Sequence, residues 1–567
     1  MKYIELCEVY KALDSTTKRL EKTEIIAKFL RKLHKESKNV NDDWIFLLRG
    51  RVLPEYDPRE FGMSGQLLIK VIAKSSGVSS EKIVKMFNEV GDLGEVAERV
   101  MEHKKQSTLS SSTLSVEKVF ENLRKLFSLE GKGSVDKKVS LVSELLGNAR
   151  GIEAKYLIRT VLNDLRIGVA DSTIRDGISE AFFPDDKKEM SKAIEWAYDL
   201  SNDFSEIFSA VVKGKKELAK INLSPGKPMN VMLAVKAVDI PDAFRICGKP
   251  AAIEYKYDGF RVVINKDKNG EVKLFTRRLE EVTNQFPDVV EVVNKNVKAK
   301  NFILDSEIVG YDKKTKKYRP FEAISQRIKR KHHIEKLVED LPVEINVFDV
   351  MYLDGKSTMD LPFKKRRKII EKIIKNEKLK IRVASQIITD SEKKAQDFYD
   401  ESMNAGEEGI MVKNIEVPYH PGRRVGYMVK MKPNTKDLDL VIVGAEHGNG
   451  KRAGWLTSYI VACRDEKNPG KFLEIGKVSS GLKEKEGIGT SYMEMTNLLK
   501  PLIEKESGRI IRVKPKIVVS VTYQNIQKSP SYSSGYALRF PRITNYRPDR
   551  GTKDIASLKD IMKLVGV

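Results

Sequence analysis

Hydrophobic and polar positions change their rhythm along this 567-residue chain. From residue 1 to about 220 the apolar residues recur at helical spacing. Leu20, Ile25, Ile26, Phe29, Leu30 and Leu33 form one stripe, and residues 67–72, 116–127 and 141–146 continue it. A polar run over 107–115 interrupts the series and reads as an exposed loop between two helical lobes. Over 156–178 the pattern predicts one helix ending near Arg166-Ile167-Gly168 and a second capped by Asp171 or Ser172. Backbone amides at the start of that second helix could hold a phosphate; the alternative is an ordinary helical hairpin.

After Ser224-Pro225-Gly226-Lys227-Pro228 the rhythm turns to short, largely buried strands: 302–310, 343–351, 409–413 and 427–432. This middle region runs to about Pro433. Beyond it lie strand-like runs at 440–445, 458–464, 472–478, 517–523 and 536–543, then a short amphipathic helix over 554–565. Five strands in a small terminal domain suit an oligonucleotide/oligosaccharide-binding (OB) barrel, with an immunoglobulin-like sandwich as the alternative. The expected chain is multidomain, with an all-α N-terminal domain over 1–220, an α+β domain over 221–433 and a β-barrel OB-fold domain over 434–567.

Charge narrows the partners. Lys plus Arg number 103 against 80 Asp plus Glu, a formal +23. Such an excess points to a polyanion, nucleic acid first, although a heat-adapted surface would also be charge-rich. Cys7, Cys247 and Cys463 are too few for a disulfide framework or a four-cysteine zinc site. The first residues lack an apolar signal core, and no apolar run approaches the length of a membrane span. A soluble cytoplasmic protein without a membrane partner is expected.

The chemistry gathers around Glu254-Tyr255-Lys256-Tyr257-Asp258-Gly259-Phe260-Arg261, which reads as strand, tight turn, strand, with Gly259 supplying the turn. A lysine held there can attack phosphorus once it is a neutral amine. Polar groups interrupt other strands where a plain core would be apolar. They are Thr276-Arg277-Arg278, Asp305-Ser306-Glu307, Phe348-Asp349, Glu407-Glu408-Gly409 and the alternating Lys430-Met431-Lys432, with Arg424 six residues upstream of the last. A polyphosphate needs cations, for which Arg261, Arg277, Arg424, Lys430 and Lys432 can serve. A divalent metal needs carboxylates, and Glu307 and Glu408 are placed for that. A base needs a flat apolar surface, which Phe348 offers.

The ordered set Lys256-Tyr257-Asp258-Gly259, Thr276-Arg277-Arg278, Asp305-Ser306-Glu307, Phe348-Asp349, Glu408-Gly409 and Lys430-Met431-Lys432 resembles the motifs of the covalent lysyl-nucleotidyltransferase superfamily. With the helical N-terminal region, the whole chain resembles ATP-dependent DNA ligases of archaeal type. The resemblance implies that the middle region is an adenylation (nucleotidyltransferase) domain using ATP and Mg²⁺ or Mn²⁺. Lys256 would form lysyl-AMP, AMP would pass to the 5′-phosphate of nicked double-stranded DNA, and the 3′-hydroxyl would displace AMP. Glu254 would help select adenine, Phe348 stack on it and Glu307 contact ribose or metal. Arg261, Arg277, Arg424 and Lys430 would hold sugar and phosphates, with Lys432 beside them, and Glu408 would bind the metal. Arg547, Asp549 and Arg550 would belong to a terminal motif that acts during lysine adenylation. Two positions depart from the family pattern: Met428 stands where a Trp is common, and Arg550 where the motif usually ends in Lys.

The same lysine motif serves mRNA capping guanylyltransferases and RNA ligases, against which the long helical region argues. NAD⁺-dependent ligases typically carry a four-cysteine zinc module, which three cysteines cannot build. A non-enzymatic DNA-binding protein would explain the charge but not the ordered motifs. Archaeal relatives often carry a sliding-clamp tag between the helical lobes. Here Gln106 and Leu109 lie in a loop without the usual aromatic pair, so at most weak clamp binding is expected. A monomer is expected, with a hinge near Pro433-Asn434-Thr435.

Overall fold

The computed structural model describes residues 1–36, 42–102, 113–330, 334–433, 437–448, 452, 454–484 and 490–565. The clamp-tag positions Gln106 and Leu109, most of the polar run 107–115, and Asn434 and Thr435 of the expected hinge lie outside the described residues. The chain packs as two compact units, Met1–Val84 with Leu93–Lys432, and Lys85–Asp92 with Pro433–Val567. No described helix is long and apolar enough to cross a membrane.

Among the described residues of 1–220 the regular elements are helices, as the 3.6-residue spacing requires. Helices Arg19–Glu36, Gly65–Ser76, Val116–Lys125 and Ser134–Asn148 cover the apolar stripes. Leu20 is the exception in its stripe: it is 83% exposed in the first turn. Lys22 is buried instead, because its ammonium donates to the carbonyls of Ile167 and Gly168. The helix expected to reach Arg166 is Gly151–Val161 and stops earlier, since Asn163 and Arg166 take positive φ (55° and 58°) that no helix accommodates. The next helix, Asp171–Phe182, starts at Asp171 without a side-chain cap. Asp171 pairs with Arg49 instead of capping.

The middle region is built on two large sheets, with a two-stranded one formed by Met232–Leu233 and Gly422–Arg423. A five-stranded sheet has the order Gln386–Thr389, Ala251–Tyr255, Ile410–Asn414, Met428–Met431, Val235–Lys236. A six-stranded sheet has the order Val272–Thr276, Phe260–Lys266, Phe302–Gly310, Val343–Leu353, Lys356–Ser357, with Ile381–Val383 paired to Val343–Leu353. Strand Phe302–Gly310 is buried along nearly its whole length, so its polar members Asp305 and Ser306 must find partners inside.

The C-terminal unit is strand-rich. Leu438–His447 pairs by its first half with Val518–Thr522 and by its second half with Ile510–Val513, with bulges that bend it. The expected strand 536–543 is two strands, Tyr536–Leu538 and Arg542–Tyr546, because Phe540 takes φ 49° and Pro541 follows. The hairpin Ile503–Ser507/Ile510–Val513 had no sequence signal: its first strand is almost wholly exposed and shows no alternation. The closing helix is Leu558–Val565, shorter than expected, because Ser557 caps it by accepting from the Asp560 amide.

Candidate active site

Lys256 does not sit in a hairpin. The strand before it, Ala251–Tyr255, belongs to the five-stranded sheet, and the strand after it, Phe260–Lys266, to the six-stranded one. Residues 256–259 therefore cross from sheet to sheet. The Lys256 amide donates to the Gly409 carbonyl at 2.8 Å, and the Glu408 amide donates to the Lys256 carbonyl at 2.9 Å. Gly259 is needed for close approach: a Cβ there would lie 2.3 Å from the Ile308 carbonyl oxygen. Gly409 is needed on two counts, with φ of 127° and a Cβ that would lie 2.2 Å from the Met431 carbonyl oxygen.

Side chains from several strands converge on this crossover. Glu408 Oε2 accepts an ion pair from Lys256 Nζ and another from Lys432 Nζ at 2.6 Å. Burial works to raise the Glu408 carboxyl, but the two ammonium groups overcome it and hold it down to about 2. Glu307 lies opposite Arg261 in the strand register, and burial pushes its carboxyl up to about 8 against the pull of Lys256 and Arg261. Burial and the neighbouring charge of Lys256 lower both Lys430 and Lys432; Arg277 and Arg423 add to the effect on Lys430. Arg277 is exposed at the end of its strand. Two adjacent carboxylates are thus driven in opposite directions, a pattern of sites that handle charge and protons.

Two aromatic rings flank the Lys413 ammonium. The register between Phe302–Gly310 and Val343–Leu353 slips at Asp305/Ser306, and Phe348 is the residue left unpaired by that bulge. Lys413 Nζ stands 4.6 Å from the Phe348 ring and 4.7 Å from that of Phe363. Lys413 also pairs at 2.6 Å with Glu254, whose other oxygen accepts from Gln386 Nε2 at 2.7 Å. Glu254 and Lys413 are both buried.

Other expected residues are brought elsewhere. The Arg261 guanidinium pairs with buried Asp305, donates to the Met232 carbonyl at 2.6 Å and to the Tyr419 hydroxyl at 3.2 Å, and lies 5.5 Å from the Phe348 ring. Arg424 donates to His420 Nδ1 at 3.1 Å and lies 3.8 Å from Glu195 of helix Lys187–Ser201. Met428 is buried in an apolar cluster with Met232, Val263 and Tyr419. In the C-terminal unit Arg547 pairs with Asp549 at 2.6 Å and Asp439 at 3.0 Å, and Arg550 lies 3.7 Å from Asp439. Sequence reasoning missed Lys413, Tyr419 and Gln386 as site residues. Lys413 left a signal, a lysine closing an apolar strand; Tyr419 and Gln386 left none.

Three family profiles match the chain: "DNA ligase N terminus" over residues 2–179, "ATP dependent DNA ligase domain" over 231–432 and "ATP dependent DNA ligase C terminal region" over 452–550. A DNA ligase of Nanoarchaeum equitans is 45% identical over 567 residues, which is 100% of this chain and 98% of that protein. The chain belongs to the ATP-dependent DNA ligase family. A DNA ligase of Thermococcus fumicolans is 39% identical, over 100% of this chain and 99% of its own. The solved structure described as "Pmar-Lig_PreS3" shares the fold at 16% identity, with a TM-score of 0.58 over 95% of this chain and 99% of its own. Helical N-terminal region, central adenylation domain and strand-rich C-terminal region are the architecture of this ligase family.

ATP-dependent ligases use ATP and a divalent metal such as Mg²⁺. The donor set fits that ion. Among the described residues no three His, Cys, Asp or Glu side chains converge as an all-protein metal cage. Mg²⁺ typically takes one or two carboxylates and completes its shell with water and substrate phosphate oxygens. Glu307 and Glu408 supply two hard oxygen donors, one from each side of the crossover.

Proposed function

We propose that Lys256 is the nucleophile of this ligase and that the cations and carboxylates around the sheet-to-sheet crossover are its nucleotide site. The enzyme seals 5′-phosphate/3′-hydroxyl nicks in duplex DNA through lysyl-AMP and a DNA-adenylate. In the first step Lys256 Nζ bonds to the α-phosphorus of ATP, the bond from that phosphorus to the bridging oxygen breaks, and pyrophosphate leaves. The observation that carries the assignment is the ion-pair chain Lys256–Glu408–Lys432 at a junction fixed by main-chain hydrogen bonds. It keeps the lysine beside charge that a polyphosphate can use, and phosphoryl transfer depends on positioning and charge neutralisation more than on covalent help.

Around Lys256 we assign Lys430, Lys432, Arg277 and Arg424 to the phosphates. Arg261 orders the pocket wall through Asp305 and Tyr419, as well as facing sugar or phosphate. Phe348 is the adenine platform, with Lys413 against the ring, and Glu254, fixed by Lys413 and Gln386, reads the base. Glu307 and Glu408 would hold the metal, whose chemistry is to neutralise phosphate charge. The residues divide into a helical DNA-binding domain, 1–220, an adenylation domain, 221–433, and an OB-fold domain, 434–567, in which Arg547, Asp549 and Arg550 act in lysine adenylation. The bent strand Leu438–His447, with partners on both sides and along both halves, supports the OB reading.

Incubation with α-labelled ATP tests the nucleophile. Wild type is expected to carry an acid-labile AMP adduct; Lys256→Ala and Lys256→Arg carry none, because guanidinium stays protonated. Retained adduct in either variant would sink the assignment.

A further inference from the structure

Beside the nucleotide site lies a carboxylate that the mechanism above does not use. Glu407 is 5% exposed in the loop between helix Glu392–Asn404 and strand Ile410–Asn414. Its Oε2 accepts from the Asp258 amide at 3.0 Å, across from one loop to the other. Its Oε1 is buried with no hydrogen-bond donor among the described residues. A buried carboxylate with one oxygen unpartnered is a costly arrangement, and such exceptions ask for a reason outside packing.

The other oxygen, Oε2, is the one that takes part in fixing the crossover. Lys256 is held on its own peptide by Gly409 and Glu408, and the Gly409 carbonyl is in turn held by the Ser402 hydroxyl at 2.6 Å. Two residues on, those main-chain ties have ended. Tyr257 is anchored through its hydroxyl, which accepts from the Ser385 amide at 3.0 Å. The hydrogen bond from the Asp258 amide to Glu407 is a tie that reaches across the loops beyond Lys256. If the peptide between Tyr257 and Asp258 rotates, the strain falls on the next tie back, the bond from the Glu408 amide to the Lys256 carbonyl, and any shift there is magnified at Nζ by the long side chain.

We infer that Glu407 is a positioning residue for Lys256, its Oε2 fixing the Asp258 amide so that the nucleophile keeps its line to the α-phosphorus. This rests on the assignment of Lys256 as nucleophile. A misplacement of about 1 Å at a reacting atom costs up to roughly 100-fold in rate. Glu407→Leu fills the same space without an acceptor, and Glu407→Gln keeps the acceptor.

Single-turnover formation of lysyl-AMP across ATP concentrations tests it. Glu407→Leu is expected to slow adduct formation at saturating ATP by about 10- to 100-fold, with half-saturation in ATP within twofold of wild type. Glu407→Gln is expected within about threefold of wild type. If Glu407→Leu does not fold, Glu407→Asp, which shortens the reach by one methylene, should show the same loss. A saturating rate within twofold of wild type in Glu407→Leu or its substitute overturns the inference. So does Glu407→Gln as slow as Glu407→Leu, or an effect confined to half-saturation. Lys256→Ala run alongside separates the failures. Adduct persisting there overturns the nucleophile itself, whereas an inert Lys256→Ala beside a fast Glu407→Leu overturns only the role of Glu407.

Discussion

The surroundings of Lys256 and those of Arg547 are made of the same groups, yet water reaches them differently. Near Lys256, Glu254 is 2% exposed and Asp305 0%, and each takes partners from more than one strand or loop. Near Arg547 the partners are Asp549, two residues along, and Asp439, and the Asp549 side chain is 60% exposed. A charge removed from water cannot give up its partner without a large penalty. A charge in water exchanges partners at little cost. The first region is a fixed template; in the second Arg547 stays held by Asp439, while the exposed Asp549 and Arg550 can exchange partners. That difference suits the roles proposed above, a nucleotide site that must not drift and a terminal motif that acts in lysine adenylation.

Four substitutions break or sharpen this contrast. Lys256→Ala should have the largest effect, reducing adduct and sealing to background, because it removes the proposed nucleophile itself, while the neighbouring Lys432 is carried by another segment. Lys413→Met comes next. It takes from the buried Glu254 carboxylate its nearest cation, leaving Arg367 at 3.5 Å and Gln386 at 2.7 Å; complete loss of a buried partner costs about 3–5 kcal/mol, so about 1–3 kcal/mol is expected. Chemical denaturation would read the loss; a drop under 1 kcal/mol would mean that the pocket is wetter than its burial states. Arg547→Ala should slow lysyl-AMP formation about 100-fold, the scale of losing one charge-stabilising donor, while a pre-adenylated nick is sealed at close to the wild-type rate. Equal slowing of both half-reactions would make the motif structural. Asp549→Asn should be the mildest, leaving the thermal midpoint unchanged. A clear fall in Tm would show that the exposed pair holds the C-terminal unit together.

Periodicity made much of the fold legible. Buried strands such as Phe302–Gly310 and helices such as Arg19–Glu36 carry their apolar pattern in the chain itself. Backbone punctuation was less legible. Asn163 and Phe540 take positive φ without being glycine, and each stands where an element stopped although side-chain pattern predicted continuation. Legibility in the site followed the same division. Lys256, Glu408 and Lys432 stand in motifs whose order is visible along the chain, and they meet in space. Gln386 and Tyr419 enter from loops and an edge strand, where one polar residue looks like any other until its partner is known. The crossing of Lys256 between two sheets was not legible at all. A strand, a short turn and a strand describe a hairpin equally well, and the difference lies in pairings made far away in sequence.

That crossing sets a mechanical limit. Glu307 hangs from one sheet and Glu408 stands beside the other, so the gap between these carboxylates works as a caliper on the cleft. The chain carrying the nucleophile is one tether across it; Ala384-Ser385, joining Ile381–Val383 to Gln386–Thr389, is another. Five peptide steps separate Tyr255 from Phe260, the ends of the two strands, and drawn straight they reach about 18 Å. However widely the jaws gape to admit a nucleotide, they stay leashed by the residue that will react with it.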